Sequence, residues 1–380
     1  MSEQIVLIGT GYLAEYLIPC YEKCLGDVLK GHMIGIKGSL PRLEERQKVF
    51  PFPLRVLGTE HVLRERKPEL ILMAAKPNQV PGIVEETLVP YYEEVRARGE
   101  KLPVLYSFAP SPSVGWLTDT LGEDACICNM LPSMLREIAG VDTADAGISY
   151  LSFDPRAPWS EEERAAACAF LRPTGQILEI AGEQAAAFLG IHEGTHVVYE
   201  FTMICCDVLR ERGEELSYAA AAGAMRKALR EAIHRDYLTP IPIAEGMREE
   251  HYPFWKNLIY SYLGGILEYA AEVGIDPEKA ILKVAASMEM NLMFVQNATP
   301  EKMRQAVASH ATKGGVLEKE NTSFREFGYE KLEEGWRKYL DGQFNDWEEA
   351  VFDDEMADVA YEIAGIVSRH TAGLSGVTWK

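Results

Sequence analysis

Two short clusters in this chain carry residue types able to do chemistry. The first is Ile5-Val6-Leu7-Ile8-Gly9-Thr10-Gly11-Tyr12-Leu13-Ala14. Four apolar residues read as a buried strand, two glycines permit a sharp turn, and Leu13, Leu17 and Ile18 fall on one side of a following helix. The spacing Gly-x-Gly-x-x-Gly/Ala, with Ala14 in the third slot, is that of a turn that holds a dinucleotide. Gly9 makes a turn that a side chain would obstruct, and Gly11 lets the backbone approach a pyrophosphate. Ala14 lets the helix pack closely on the strand, and the free N–H groups of the first helical turn, from Gly11 through Tyr12 and Leu13, attract negative charge. A purely structural glycine turn is the alternative.

The end of the second strand, Met33-Ile34-Gly35-Ile36, decides which dinucleotide suits the turn. An Asp or Glu there would accept hydrogen bonds from ribose hydroxyls. This chain has Lys37-Gly38-Ser39 instead, with Arg42 shortly after. A lysine, a hydroxyl and an arginine would hold a 2′-phosphate that a carboxylate repels, which points to NADP. The third strand, Leu70-Ile71-Leu72-Met73, runs into Ala74-Ala75-Lys76-Pro77-Asn78-Gln79-Val80, where Pro77 forces Lys76 to be extended and closes the strand. Ligands of open α/β sheets bind beyond the carboxyl ends of strands, where Ala75, Lys76, Pro77 and Val80 lie.

The second cluster is His192-Glu193-Gly194-Thr195-His196. On a continuous helix the two histidines would share a face and could bind zinc, with Glu193 as a base. Gly194 is a poor residue for the middle of a helix, and no further ligand signature flanks the pair. The competing readings are a role for these side chains in a cleft and plain hydrogen bonding between helices.

The scaffold around these clusters follows from patterning. A helix over Val84–Arg98 and strands at Val104–Ala109, Cys126–Asn129, Gly147–Phe153 and Gly175–Ile180 continue the alternation begun at Ile5. That alternation predicts a doubly wound parallel sheet, an N-terminal α/β domain over residues 1–181. Pro19 is expected to end or kink the first helix. Ser160, followed by Glu161, Glu162 and Glu163, caps a helix to Arg172. From Gly182 the pattern is helical: 185–189, 196–212, 219–234, 254–273, 277–295, 300–309 and 355–368. Asp276-Pro277 and Thr299-Pro300 read as N-caps followed by proline at the first helical position. The second domain, residues 182–380, is therefore all-α. The apolar face of 277–295, with Ile281, Leu282, Val284, Ala285, Met288, Leu292 and Met293, suits a bundle core or a subunit interface.

Bulk properties set limits. The 380 residues carry 38 basic against 58 acidic side chains, a formal charge of −20, with 47% hydrophobic residues. Such a surface repels nucleic acid and anionic lipid. No apolar run reaches membrane-spanning length, and no secretory leader pattern opens the chain. Seven cysteines in mostly apolar segments read as reduced core residues of a cytoplasmic protein.

In order and spacing, Ile8-Gly9-Thr10-Gly11, Ala75-Lys76-Pro77-Asn78-Gln79-Val80 and Ser107-Phe108-Ala109 resemble pyrroline-5-carboxylate reductase and its relatives, whose Rossmann domain precedes a helical domain like that of 6-phosphogluconate dehydrogenase. The resemblance implies nicotinamide dinucleotide along these loops, including Ser107, Phe108 and Ala109, and hydride delivery to a carbon–nitrogen double bond. Met130-Leu131-Pro132-Ser133 is similar to the family's Met-Pro-Asn element, which places Pro132 and Ser133 at the substrate. Ala311-Thr312-Lys313-Gly314-Gly315-Val316-Leu317 is similar to its Pro-Gly-Gly-Thr-Thr segment beside the substrate. Val316 and Leu317 replace the two threonines, leaving Thr312 and Lys313 as polar groups. A glycine cap between helices is the alternative for Gly314 and Gly315.

The family's Gly-Pro-Ala-Tyr helix corresponds either to Gly194–Phe201 or to Tyr260–Gly274. Relative to that family the chain carries roughly 50–75 extra residues near 207–257, within the usual domain size range, and an extension from about 322. The expectation is an NADP-dependent oxidoreductase, dimeric or larger as in that family, acting on an imine or carbonyl of a small acid. Its candidate proton donors are His192, His196, Glu193 and Thr312. A non-catalytic nucleotide-binding sensor or scaffold and a zinc hydrolase are the alternatives.

Overall fold

The computed structural model describes residues 5–374 apart from 12, 22–32, 39–42, 57, 135–146, 234–240, 311–314, 345–351 and 353; the side chains of Lys37 and of 306–310 also lie outside the description. The chain divides into two compact units. The first holds 1–134, 143–186 and 371–380, the second 135–142 and 187–370.

The first unit is built on an eight-stranded sheet: β1 (Ile5–Ile8), β2 (Met33–Lys37), β3 (Leu54–Val56), β4 (Leu70–Met73), β5 (Val104–Ser107), β6 (Ile127–Leu131), β7 (Ile148–Phe153) and β8 (Gln176–Glu179). Their order across the sheet is β3-β2-β1-β4-β5-β6-β7-β8. Ile5 and Leu7 pack into one core with Leu17, Ile18 and Phe170, and Val6 and Ile8 into another with Val84, Leu88 and Leu117. Helices thus cover both faces, which is why β1 is uniformly apolar rather than alternating. After β1 the chain builds outward to β2 and β3, then crosses to β4 on the other side of β1. The reversal leaves a crevice between β1 and β4 at their carboxyl ends.

Several local expectations are corrected. Strand β3, between Pro53 and the residues that follow Val56, is too short for periodicity to reveal. Strand β7 pairs antiparallel to β6, with Cys128 opposite Phe153 and Leu131 opposite Tyr150, because residue patterning marks a strand and not its direction. The first helix does not end at Pro19 but continues to residue 21. The helix after β4 starts at Val80, not Val84, and widens into a π turn at Val84–Leu88, just before Pro90, which has no N–H to offer the preceding turn. Ser160 forms a reciprocal capping box with Glu163, whose carboxyl is drawn down to about 2, chiefly by the Ser160 backbone N–H and then by Lys101.

The second unit is helical: Val198–Glu211, Tyr218–Ile233, Tyr252–Glu272, Pro277–Gln296, Pro300–His310, Val316–Phe327, Tyr329–Leu340 and most of Glu355–Gly373. Asp276 caps its helix by accepting from the Lys279 N–H at 3.1 Å, and Thr299 likewise from Lys302 at 3.2 Å. The broad apolar face of Pro277–Gln296 packs against Val198–Glu211, Tyr218–Ile233 and Tyr252–Glu272 of the same chain, leaving Leu292 and Met293 fully buried. Three neighbours within one chain account for the breadth of that face, so it does not require a second subunit. Tyr218–Ile233 is pinned by Arg226, fully buried, which donates to Glu289, Gln296 and the Ile241 and Pro242 carbonyls. Among the described residues no helix is long and apolar enough to cross a membrane. The six described cysteines are free, with Cys20, Cys128, Cys205 and Cys206 buried.

Candidate functional site

In the first unit, the candidate nucleotide turn sits at the reversal between β1 and β4. The register sets Ile8 beside both Ile36 and Met73, and Met73 beside Ser107. Gly9, Lys37, Ala74 and Phe108 therefore follow one another along a single sheet edge. Gly9 adopts φ +97°, a region that side chains disfavour. A Cβ on Gly9 would lie 2.7 Å from the Ala74 carbonyl carbon and 2.8 Å from the Ala75 nitrogen. Its N–H donates to the Ile36 carbonyl at 3.1 Å, and the Ala74 N–H donates to the Ile8 carbonyl at 2.7 Å. The turn is thus clamped from both neighbouring strands.

Gly11 is exposed, and a Cβ on it would meet nothing within 4 Å. The Glu15 N–H donates to the Gly11 carbonyl, so the helix over 13–21 starts directly at this open backbone. Thr10 is buried between them, and among the described residues its hydroxyl has no hydrogen-bond partner. A close-packed first glycine, an open second glycine and a buried hydroxyl awaiting a partner fit a pyrophosphate-bearing dinucleotide.

The other predicted contacts separate into open and buried sets. Leu13, Ala75 and Pro77 are half-buried, and Gly38 and Lys76 are exposed. Lys76 is extended before Pro77, as the proline demands. Val80, Ser107, Phe108 and Ala109 are buried, Phe108 in one core and Val80 and Ala109 in the other, so only their backbones border the edge. Tyr12, Ser39, Arg42 and the Lys37 side chain lie outside the described residues. Pro132 and Ser133 follow β6. Ser133 is buried, and its N–H donates to Ser149 Oγ at 2.9 Å, which pairs with Thr174 Oγ1 at 2.8 Å.

The second unit holds a buried polar cluster around His192-Glu193-Gly194-Thr195-His196. The α-helix carrying His192 ends at Glu193, and Gly194–Val197 is a 3₁₀ turn before the helix Val198–Glu211. The backbone groups freed at this break find side-chain partners: Tyr262 donates to the Gly194 carbonyl at 2.8 Å and Thr195 to the His192 carbonyl at 2.8 Å. Asn291 donates to Thr195 Oγ1 at 2.9 Å and accepts from the Tyr199 hydroxyl at 2.9 Å. His192 Nδ1 lies 2.6 Å from Ser287 Oγ. His196 Nδ1 folds back onto its own turn, 3.1 Å from the Glu193 carbonyl and 3.2 Å from its carboxylate.

The two histidines do not share one face of a continuous helix. The histidine rings stand edge to face at 5.8 Å, the helix between them is broken, and among the described residues no three His, Cys, Asp or Glu groups converge as metal ligands.

Burial governs the ionisation of the cluster. Desolvation pushes Glu193 up to about 7, opposed by the positive charge of Lys283. It draws Lys283 down to about 8, opposed by Glu193. Desolvation lowers His196 to about 4 and holds His192 well below the usual histidine range, with Lys283 and His196 adding to the second effect. Both histidines are therefore neutral at neutral pH. Glu193 and Lys283 are the groups whose protons exchange near neutrality.

Sequence reading missed Lys283, Ser287, Asn291 and Glu320. The first three recur every fourth residue along the otherwise apolar helix Pro277–Gln296, a polar stripe visible in the sequence once that spacing is sought. Glu320 lies on Val316–Phe327, whose N-cap is Gly315. Gly315 thus opens a helix rather than closing one, and Thr312, Lys313 and Gly314 lie outside the described residues.

The fold and the crevice together define a doubly wound, dinucleotide-type α/β domain followed by a helical unit. No protein-family model and no curated protein sequence matches this chain. Solved structures do resemble it distantly. Plasmodium falciparum pyrroline carboxylate reductase with NADP bound is 11% identical, over 94% of this chain and 98% of that one, with a TM-score of 0.37. Pyrroline-5-carboxylate reductase from Coxiella burnetii is 15% identical over 92% and 99%, with a TM-score of 0.39. Prephenate dehydrogenase from A. aeolicus, in complex with NAD+, is 12% identical over 90% and 96%, with a TM-score of 0.37. Likeness at this level says nothing about the substrate.

Proposed function

We propose that this chain is a cytoplasmic NADP-dependent oxidoreductase, related to pyrroline-5-carboxylate reductase, that reduces an imine or carbonyl of a small acid. The observation that carries the reading is the Gly9–Gly11 turn, clamped between β1, β2 and β4, with space over Gly11 and a Thr10 hydroxyl left unpartnered among the described residues. A bound nicotinamide would supply the hydride. The residues of the chain must bind it, orient the acceptor and deliver a proton. Lys37 is the last residue of β2, Ser39 and Arg42 come next in the sequence, and a lysine, a hydroxyl and an arginine suit a 2′-phosphate. Within the second unit, Glu193 and Lys283 are the groups able to exchange a proton near neutrality. His192 and His196 are held neutral, and His196 Nδ1 donates to the Glu193 carbonyl.

Fluorescence titration should show NADPH binding roughly tenfold or more tightly than NADH, since a charge-assisted contact contributes about 1.5–3 kcal/mol and less when exposed. The Lys37→Ala, Arg42→Ala double variant should lose the preference. NADPH oxidation against a panel of cyclic imines and 2-oxo acids tests the reaction. Pyrroline-5-carboxylate should turn over weakly or not at all, because Val316 and Leu317 stand where the resembling family keeps hydroxyls. Silence across the panel with NADPH still bound would favour a nucleotide-binding sensor.

A homodimer or higher oligomer belongs to the same proposal, because helical second domains in the resembling family interlock between subunits. Light scattering at micromolar concentration should give at least twice the 42.4 kDa chain mass; a monodisperse monomer would contradict it.

A further inference from the structure

Glu15 stands in the first turn of the helix over 13–21, and its N–H donates to the Gly11 carbonyl at 3.2 Å. A carboxylate therefore lies one turn from the exposed backbone at Gly11, about 6 Å along the helix axis. Negative charge in a first turn stabilises an empty helix, but it opposes an anion drawn to the same N–H groups. A residue from outside the helix answers that charge. Arg46 Nη1 is ion-paired with Glu15 Oε2 across 31 positions of sequence, and both side chains are partly buried. Arg46 is the one basic residue of the short helix Leu43–Gln47, which also carries Glu44 and Glu45. Neither element needs the pair for its place. Gln47 donates to the Phe52 carbonyl at 2.9 Å and accepts from the Leu54 N–H at 2.9 Å, which ties Leu43–Gln47 to β3. Ala14, Leu17 and Ile18 seat the helix over 13–21 in the core. A partly exposed ion pair adds little to stability, so the pair has another use.

We propose that Arg46 is a positioning residue of the nucleotide turn. It neutralises the Glu15 carboxylate and holds it aside, so that a pyrophosphate meets the N–H donors of the helix start without an opposing charge. The inference rests on the reading of Gly9–Gly11 as a dinucleotide turn. It gives Arg46 a different part from Lys37, Ser39 and Arg42, whose proposed partner is the 2′-phosphate. The pyrophosphate is common to both nicotinamide dinucleotides, so Arg46 should matter equally to each.

The test is a fluorescence titration of the full chain with NADPH and, separately, with NADH. Arg46→Ala should weaken both about tenfold, the effect of an uncompensated charge at that distance between bulk water and a protein surface. Adding Glu15→Gln to Arg46→Ala should bring both affinities back to within about twofold of the parent, because the two side chains act on each other. Arg46→Lys keeps the charge and should bind like the parent. The gap between parent and Arg46→Ala should narrow as potassium chloride rises, since salt screens exposed charges. A loss confined to NADPH would assign Arg46 to the 2′-phosphate instead. A loss that Glu15→Gln does not recover would make the pair a structural clasp. Either result overturns the inference, as does an Arg46→Ala protein that binds both dinucleotides like the parent. These outcomes leave the nucleotide turn standing, whereas a parent that binds neither dinucleotide removes the turn and the inference together.

Discussion

Replacing Gly9 by valine should abolish nucleotide binding and destabilise the first unit by about 2–6 kcal/mol, the sum of backbone strain and overpacking. At φ +97° a β-branched side chain is strained by itself. Its Cβ would also press on the Ala74 carbonyl carbon and oxygen and the Ala75 nitrogen, all backbone atoms within 2.8 Å. They cannot yield without pulling the Ala74 N–H off the Ile8 carbonyl, a bond of 2.7 Å that joins β4 to β1. Against a typical total stability of about 5–15 kcal/mol, the loss is large. Gly11→Ala is the matched control. Among the described residues its added methyl meets nothing within 4 Å, so melting should be unchanged while NADPH affinity falls, because the methyl occupies the path of the pyrophosphate. A Gly9→Val protein that melts and binds NADPH like the parent would show that the turn is neither tight nor functional.

Removing a carboxylate from the polar cluster should stabilise the protein above neutral pH. Glu193 is raised from 4.5 to about 7 in the folded chain. A raised value means that the folded state holds its proton longer, so the stabilising contribution is complete below about 4.5 and is lost as pH rises through 7. Glu193→Gln should therefore differ least from the parent near pH 4.5 and be more stable above pH 7. The gain should be about 1–3 kcal/mol, because each tenfold difference in proton affinity between the folded and unfolded chain is worth about 1.4 kcal/mol. His196 acts in the opposite sense between about 4 and 6.5, but parent and variant share it, so it cancels to first order in the comparison. Glu320→Met should follow the same course. Burial and the charges of Glu193 and Glu200 raise Glu320 well above the usual range, and a methionine fills its place without an unpaired group. Both variants should lose the proposed reductase activity while gaining stability, as expected where a site is kept strained for function. Urea unfolding at pH 5 and pH 8 reads the difference. Variants less stable than the parent at pH 8 would show that the carboxylates are structural.

Local signals in the sequence specify the pieces. Ile5–Ile8 with Gly9 and Gly11, the extended Lys76 before Pro77, the Ser160–Glu163 box and the caps at Asp276 and Thr299 each depend on a few adjacent residues, where steric and hydrogen-bonding preferences are complete in themselves. Together with both-face apolar strands they specify a doubly wound sheet followed by helices. Strand β3 escaped because three residues carry no period, and the direction of β7 because pairing sense is set by where the chain re-enters the sheet.

The polar cluster and its chemistry come from long-range packing alone. His192 meets Ser287 from 95 residues away, Tyr199 meets Asn291 from 92, and Asn291 meets Thr195 from 96. No window of sequence contains such pairs. The same packing covers the wide face of Pro277–Gln296 within the chain, and it breaks the His192–His196 helix at Gly194. It also removes Glu320 and Lys283 from water. Ionisation depends on what surrounds a group and how much solvent remains, and that is fixed when distant helices close on one another.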